Sequence, residues 1–361
     1  MAYSDIKDPS AHFHTQIWTG GGTLSPRSIT NNANSGDFQP DFVWTKGRAT
    51  AYEHQLYDSS RGAGTTKGLD SGSTAAEGIV SATYGYLSSF DSNGFTGTAG
   101  TSGQNAYYNV SGQTYVAWQW KANGGTTTSF SESGSNPGGT RQTDTTAGFS
   151  IISYTGTGSA GTIAHGLPSA PEWIIFKNRD TTNVWACYHV SIGNNYKMEL
   201  HNEAQRDADG AFMNGTLPTS SNITVGASAN TNTDGNNYIC YAWSPVQGYS
   251  KMGTYYGNTS TNGVFNYCGF KPAWVLIKCY TGANDSWIII DTKRNTVNSM
   301  NARLFPDLAN AESTSQDIID CLSNGFKLRT ADTAYNGGRN YLWVAFAENP
   351  FVAGGIPTTA R

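Results

Sequence analysis

The sequence predicts an all-β protein made of three tandem antiparallel β-sandwich domains, jelly-roll-like and written from one common repeat. Three observations lead there. First, one strand is spelled three times, as "QPDFVWTKGR" at 39–48, "APEWIIFKNR" at 170–179 and "KPAWVLIKCY" at 271–280. Each reads Pro, any residue, Phe or Trp, Val or Ile, two more residues, then Lys. Second, 42 glycines and 12% aromatics accompany only 13% charged residues, where soluble domains carry roughly 25%. Aromatic and β-branched side chains suit a pleated surface, while Gly and Asn supply turns. Third, the text around each strand keeps its order and spacing.

An aromatic with a Gly two residues on precedes each copy: Trp18 and Gly20, Tyr154 and Gly156, Tyr255 and Gly257. The motif Pro follows that aromatic by 22, 17 and 17 residues. Each copy closes on Gly, two polar residues, Tyr and an aromatic run, in "GQTYVAWQW", "GNNYICYAW" and "GRNYLWVAF". From Pro40 to Tyr115 is 75 residues, from Pro171 to Tyr238 67, and from Pro272 to Tyr341 69. Periods this long imply whole domains in tandem, since solenoid units run about 20–50 residues.

Along the chain the elements follow in order. Residues 1–14 form an N-terminal arm in which Tyr3, Ile6 and Phe13 are candidate anchoring residues, because aromatic and aliphatic side chains there need a surface to bury against. Repeat 1 spans 15–122. Residues 123–148, rich in Gly, Ser and Thr, read as a flexible linker or a projecting hairpin. Repeat 2, the divergent copy, spans 149–246, and repeat 3 spans 247–349, joined closely enough to pack rigidly. The tail is 350–361. The motif strand, apolar at nearly every position, predicts burial on both faces or at a domain contact; the closing strand, as in "YVAWQW", predicts half-exposure. A short helix is predicted near 312–322, where Ile318, Ile319 and Leu322 share a face.

Copies one and three share further marks. "LYDSSRG" and "IIDTKRN" place Asp58 with Arg61 and Asp291 with Arg294, candidate structural ion pairs that pin a strand end. Leu69 and Glu77 match Leu304 and Glu312, and "SNGF" occurs in both. The middle copy offers His189 where the others have Asp. The motif lysines, Lys46, Lys177 and Lys278, are expected to emerge into solvent, and most tryptophans to pack in cores.

Little of this is chemistry. No His-Glu-x-x-His, phosphate loop or nucleophile elbow is present. No catalytic residue, metal ligand or cofactor site is assigned. His12 and His14 read as surface histidines, the Asp207–Gly210 stretch as a solvated turn, and Tyr107 and Asn194 as a weak sugar platform. Five cysteines without close pairing read as free, buried thiols. With net charge −4 there is no basic track for nucleic acid, and no apolar run approaches the ~20 residues of a membrane span. The opening "MAYSDIKDPSAHFH" carries no signal-peptide pattern, so a soluble protein made in the cytosol is expected.

Taken together, "DPSAHFHTQIWTGGG", "FQPDFVWTKGR", "LYDSSRG", "SFDSNGF", "GQTYVAWQWKA", "YTGTGSAGTIAHGLPSAPEWIIFKNR" and "GFKPAWVLIK" resemble a repeat family in virion structural proteins of marine tailed bacteriophages, including cyanophages. The resemblance implies a non-enzymatic protein on the virion surface, as capsid decoration, head fibre or tail fibre. It implies other phage virion proteins as partners. Two alternatives stand beside it: an adhesin for a host surface glycan, and a tail-spike-type glycan-degrading enzyme. Without a heptad stretch, any homo-oligomer must form through domain faces or terminal arms, with a trimer expected by analogy.

Overall fold

The structure, a computed structural model, describes residues 6–32, 38–78 and 83–347, with the backbone of 352–353 and 356–357. Tyr3 lies outside the described residues.

In the first segment the strands are β1 (Phe13–Thr19), β2 (Arg27–Thr30), β3 (Phe42–Gly47), β4 (Gln55–Asp58), β5 (Tyr86–Asp91), β6 (Gly94–Thr98) and β7 (Thr114–Trp120). A four-stranded antiparallel sheet runs in the order β1-β7-β3-β4, and a smaller sheet in the order β2-β6-β5. The 123–148 stretch adds β8 (Thr128–Phe130) and β9 (Gly139–Asp144), a hairpin whose second strand pairs with β10 (Phe149–Thr155). It is thus built into the next sheet and is not a free linker.

The second segment continues with β11 (Gly161–Ala164), β12 (Trp173–Asn178), β13 (Trp185–His189), β14 (Tyr196–Glu199), β15 (Asp207–Ala208), β16 (Asn222–Val225) and β17 (Asn237–Trp243). Its large sheet runs β15-β14-β13-β12-β17-β10-β9-β8, and β11 pairs with β16. The third segment holds β18 (Ser250–Tyr256), β19 (Phe265–Tyr267), β20 (Trp274–Cys279), β21 (Ile288–Asp291), β22 (Ile319–Leu322), β23 (Gly325–Leu328) and β24 (Asn340–Phe346). Its sheets run β18-β24-β20-β21 and β19-β23-β22. Every segment therefore contains the same four-strand order: opening strand, closing strand, motif strand, following strand.

The spacing signals have a local cause. In each opening strand the aromatic stacks on the Tyr of the closing strand: Trp18 on Tyr115 at 5.3 Å, Tyr154 on Tyr238 at 5.2 Å, Tyr255 on Tyr341 at 4.9 Å. The glycine two residues on touches the loop that leads into the closing strand. A Cβ on Gly20, Gly156 or Gly257 would lie 2.0, 2.2 or 2.0 Å from a backbone oxygen of that loop, so only Gly fits. The Tyr hydroxyl ties the same loop down. In Tyr115 it accepts from the Val110 N–H at 2.9 Å and donates to the Ala106 carbonyl at 3.0 Å; Tyr238 does the same with Thr233 and Ala229, and Tyr341 with Gly337 and Thr333.

Side chains of the closing strands alternate between two cores. Ala117, Cys240 and Ala345 point to three separate clusters, each lying between a segment's larger and smaller sheets. Val116, Trp118 and Trp120 point the other way, as do Ile239, Tyr241 and Trp243, and Leu342, Val344 and Phe346; all nine join one cluster shared by the three segments. At its centre Trp120 lies 5.9 Å from Trp243 and 5.5 Å from Phe346, which are themselves 6.5 Å apart. The motif strands contribute Phe42, Trp173 and Trp274 to the same cluster.

Two expectations are corrected here. The closing strand is buried over its last six residues in all three segments, not half-exposed, because a layer covers each face. No helix forms at 312–322: Ile319–Leu322 is a strand hairpinned to Gly325–Leu328 through Ser323 and Asn324. The apolar run is short and ends on a Ser-Asn turn before Gly, which favours a hairpin over a helix. Among the described residues the only α-helix is the single turn Thr333–Asn336.

The anchoring candidates also have definite places. Ile6 is 3% exposed and Phe13 fully buried, both in the shared cluster, with Phe13 stacked 5.5 Å from Phe346. Their apolar surface is spent on the chain's own interior.

Because three segments share one cluster, the chain is expected to unfold as one cooperative unit. Truncating Trp243 to Ala should lower stability by about 3–5 kcal/mol. Hydrogen exchange should then show protection lost in all three segments; loss confined to 149–246 would show that the segments fold independently.

Candidate functional site

The polar residues that the sequence singled out gather at three joints between segments. Lys46 donates to the carbonyls of Gly47 and Thr50 at 2.9 and 3.1 Å and to Ala309 of the third segment at 3.0 Å. Lys177 donates to Asn183 at 2.6 Å and to Thr74 of the first segment at 2.8 Å. Lys278 donates to Asp285 and, at 2.7 Å, to Glu203 of the second segment. The expectation that these lysines reach solvent is overturned: each is at most 1% exposed. A strand end that abuts a neighbour offers the ammonium carbonyls in place of water. Burial pushes all three amines down to about 8.

A second donor repeats the direction. His54 places Nε2 2.9 Å from the Phe305 carbonyl of the third segment. The Trp185 indole donates to the Asp70 carbonyl of the first segment at 2.8 Å, and the Trp287 indole to the Glu199 carbonyl of the second at 2.9 Å. A backbone bond completes each joint: Glu312 N–H to Arg48 O, Glu77 N–H to Arg179 O, Arg206 N–H to Tyr280 O. The first segment thus docks on the third, the second on the first, and the third on the second. The cycle closes.

Ion networks thread the joints. Arg61 donates from Nε to Asp58 at 2.5 Å and from Nη1 to Glu77 at 3.1 Å, and Glu77 accepts from Arg179 of the second segment at 2.7 Å. Arg294 likewise holds Asp291 at 2.5 Å and Glu312 at 2.8 Å, and Glu312 accepts from Arg48 of the first segment at 2.7 Å. Both Asp–Arg pairs are fully buried. The carboxylates also reach across: Asp58 accepts from the Tyr241 hydroxyl at 2.7 Å and Asp291 from the Trp118 indole at 2.9 Å. In the divergent copy His189 takes this place, with Nδ1 accepting from Ser191 N–H and Nε2 donating to the Trp343 carbonyl at 3.1 Å. At that joint Arg206 lies over the Tyr196 and Tyr280 rings at 4.2 and 5.7 Å, replacing the Arg–Glu pair.

Other candidates are dispersed. His14 is buried, with Nε2 3.2 Å from the Gln16 and Asn32 side-chain oxygens, and His12 bonds Asp144 at 2.5 Å, so neither is a surface histidine. Tyr107 is 2% exposed and donates to Glu53, and Asn194 donates to the Gly215 carbonyl; they form no platform. Asp207 lies in a short edge strand and pairs with Lys197 at 3.0 Å. The five cysteines are free and buried, with every thiol pushed up by burial, Cys321 to about 12. Among the described residues no group of three or more His, Cys, Asp or Glu is placed to hold a metal, and no helix is long and apolar enough to cross a membrane.

Sequence reasoning passed over Arg48, His54, Arg179 and Arg206, and for Trp185 and Trp287 it expected core packing without the indole bond to a neighbouring segment. A signal for two of the arginines existed, since the motif strand is followed by Arg in copies one and two and by Tyr280 in copy three. The model of a domain of unknown function, DUF7483, matches residues 8–350, a span that takes in all three joints. The chain belongs to the DUF7483 family. No curated protein matches it. In this DUF7483 protein the distinctive polar groups hold one segment to the next.

The joints give the protein a defined acid response. His189 is pushed down to about 4 by burial, and His54 well below its usual value. An unfolded imidazole near 6.5 takes up protons that the folded one refuses, so this stabilising contribution is full above pH 6.5 and lost as pH falls towards 4. For His189 that is about 3 kcal/mol. Asp70 and Asp307, raised by burial to about 7 and about 6, act in the opposite sense, so the comparison of two proteins isolates the histidine. Urea denaturation of wild type and His189→Gln between pH 7.5 and 4 should show a stability difference that shrinks with acidification. Parallel curves would remove His189 from the response.

Proposed function

We propose that this DUF7483 protein is a non-enzymatic structural protein of a bacteriophage particle, displayed on the virion surface as three tandem β-sandwich copies of one repeat. The observation that carries the reading is the joint. Lysines, histidines, tryptophans and Asp–Arg pairs, the groups from which an active site would be built, are buried here against carbonyls and counter-charges of the neighbouring segment. Such an arrangement fixes shape. Support for the particle comes from the motif set's resemblance to marine phage virion proteins. Buried thiols suit assembly in a reducing bacterial cytoplasm, since no redox-dependent bond is needed to close the fold. Partners on this reading are other capsid or tail proteins.

One observation favours the adhesin reading as the second. A recess of about 600 Å³ is lined by Glu172, Gln247, Lys251 and Tyr267, and Tyr267 is half-exposed. An aromatic beside carboxylate and amide groups is the kind of lining that takes a sugar.

Gradient-purified particles from the producing host are expected to contain the protein by mass spectrometry, with antibody label on intact virions. Absence from particles would overturn the proposal. Binding of the isolated protein on a bacterial glycan array, abolished by Tyr267→Ala, would move the assignment to the adhesin.

A further inference from the structure

Resting on the adhesin reading, we propose that the recess between the second and third segments binds a neutral oligosaccharide, with Glu172 accepting its hydroxyls and Tyr267 stacking on a sugar ring. Comparison of the three copies shows what sets Glu172 apart. The residue after the motif Pro is Asp41, Glu172 and Ala273 in turn. Each stands at an equivalent point: its N–H donates to the last residue of the closing strand, and its carbonyl accepts from Ser59, Val190 or Thr292. In copy one the chain itself occupies the carboxylate. Asp41 accepts from the N–H groups of Ala122, Gly124 and Gly125 at 2.7, 2.8 and 2.9 Å. It also accepts from the Ser59 hydroxyl at 2.6 Å and the Gln39 amide at 3.2 Å. Copy two has lost that set. Counting on from Trp120 and Trp243, Pro245 stands where Ala122 does and has no N–H to give; Val190 replaces Ser59, and Ala170 replaces Gln39. Where copy one sends out the β8–β9 hairpin, copy two turns straight into β18 through a bridge between Val246 and Ser250. No described group donates to the Glu172 carboxylate, and burial raises its carboxyl.

What remains beside Glu172 is the recess of about 600 Å³, a size that suits a small ligand. A part-buried carboxylate without donors keeps both oxygens for a ligand that brings them. Tyr267 is 52% exposed, although Lys251 lies over its ring at 4.8 Å and donates to its carbonyl at 2.9 Å. Phe265, two residues back on the same strand face, is 42% exposed and continues the aromatic surface by about 7 Å. A pyranose fits this set, since it offers adjacent hydroxyls to a carboxylate and a flat C–H face to an aromatic ring. The second ring gives the next sugar unit a place. Charge narrows the class: a cationic ligand meets Lys251 and an anionic one meets Glu172, so a neutral sugar suits the recess best. Glu172 is the only carboxylate among the lining residues, and glycoside hydrolysis uses a pair. The sugar is held and not cleaved.

Calorimetric titration of the full chain with short neutral gluco-, galacto- and manno-oligosaccharides tests this. At least one series should bind, and Glu172→Ala should weaken it by about tenfold or more. Glu172→Gln, which keeps the shape and one acceptor oxygen, should weaken it less, and thermal unfolding of both variants should stay near that of wild type. Sugar binding unchanged by both substitutions overturns this site while the adhesin reading stands. Absence of binding to any sugar, here and on the glycan array, overturns the adhesin reading and the site together. Preference for a uronic-acid oligosaccharide or a chitosan oligomer overturns the neutral class. The peptide Ala-Asn-Gly-Gly, which is the stretch that occupies Asp41 in copy one, should not bind; its binding in place of sugars overturns the saccharide in favour of a peptide.

Discussion

A strand buried on both faces needs two covering layers, and one segment supplies only one of them. That constraint organises the molecule. The small sheet of each segment covers one face of its larger sheet, leaving Val116, Trp118 and Trp120 and their counterparts without cover from within. Aromatic rings of this size gain roughly 2–3 kcal/mol each on burial, so the uncovered faces meet. Three such faces close around Trp120, Trp243 and Phe346. T-shaped contacts of Trp120 with Trp243, Trp274 and Phe346 set the packing there.

Bringing the sheets together buries irregular loops, and their carbonyls then need donors. The joints answer that need with long or planar side chains rooted in a neighbouring strand. A lysine with only carbonyl partners gives up hydration, which is why its amine is pushed down to about 8. Removing it would leave the carbonyls unpartnered, a larger cost than the bonds themselves bring. The Asp–Arg–Glu–Arg chains serve the same end at two joints, where a buried and a part-buried guanidinium alternate with two carboxylates across the boundary. The divergent copy keeps the joint with different chemistry, His189 for Asp and Arg206 on two tyrosine rings for the ion pair. The cyclic geometry is retained while the charges change.

This arrangement bears on function through economy. Groups that are strongly perturbed in a cleft usually mark chemistry. Here Lys46, Lys177, Lys278, His54 and His189 are perturbed by burial at boundaries between segments, each with a hydrogen bond to a backbone carbonyl of the neighbouring one. The burial of Ile6 and Phe13 in the shared cluster likewise ties the chain's beginning into the interior.

Local spelling determined much of this in advance. The triple motif strand, the aromatic-x-Gly step and the Gly-x-x-Tyr closure each encode a contact a few residues away or across one strand pair, and strand alternation makes such contacts readable. Asp58 with Arg61 and Asp291 with Arg294 were legible for the same reason, being three residues apart. What the sequence could not decide was which way the motif lysines face and what covers the closing strand, because both depend on a neighbouring segment, 75 to 263 residues away in chain order for the lysines. At 312–322 the deciding signal was local instead: the Ser-Asn turn before Gly folds Ile319–Leu322 back onto Gly325–Leu328 as a hairpin, which overrides the helical apolar spacing. Solvent exposure is a property of the assembled ring. Tertiary closure alone turned three lysines that look like surface residues into the buried pins between segments.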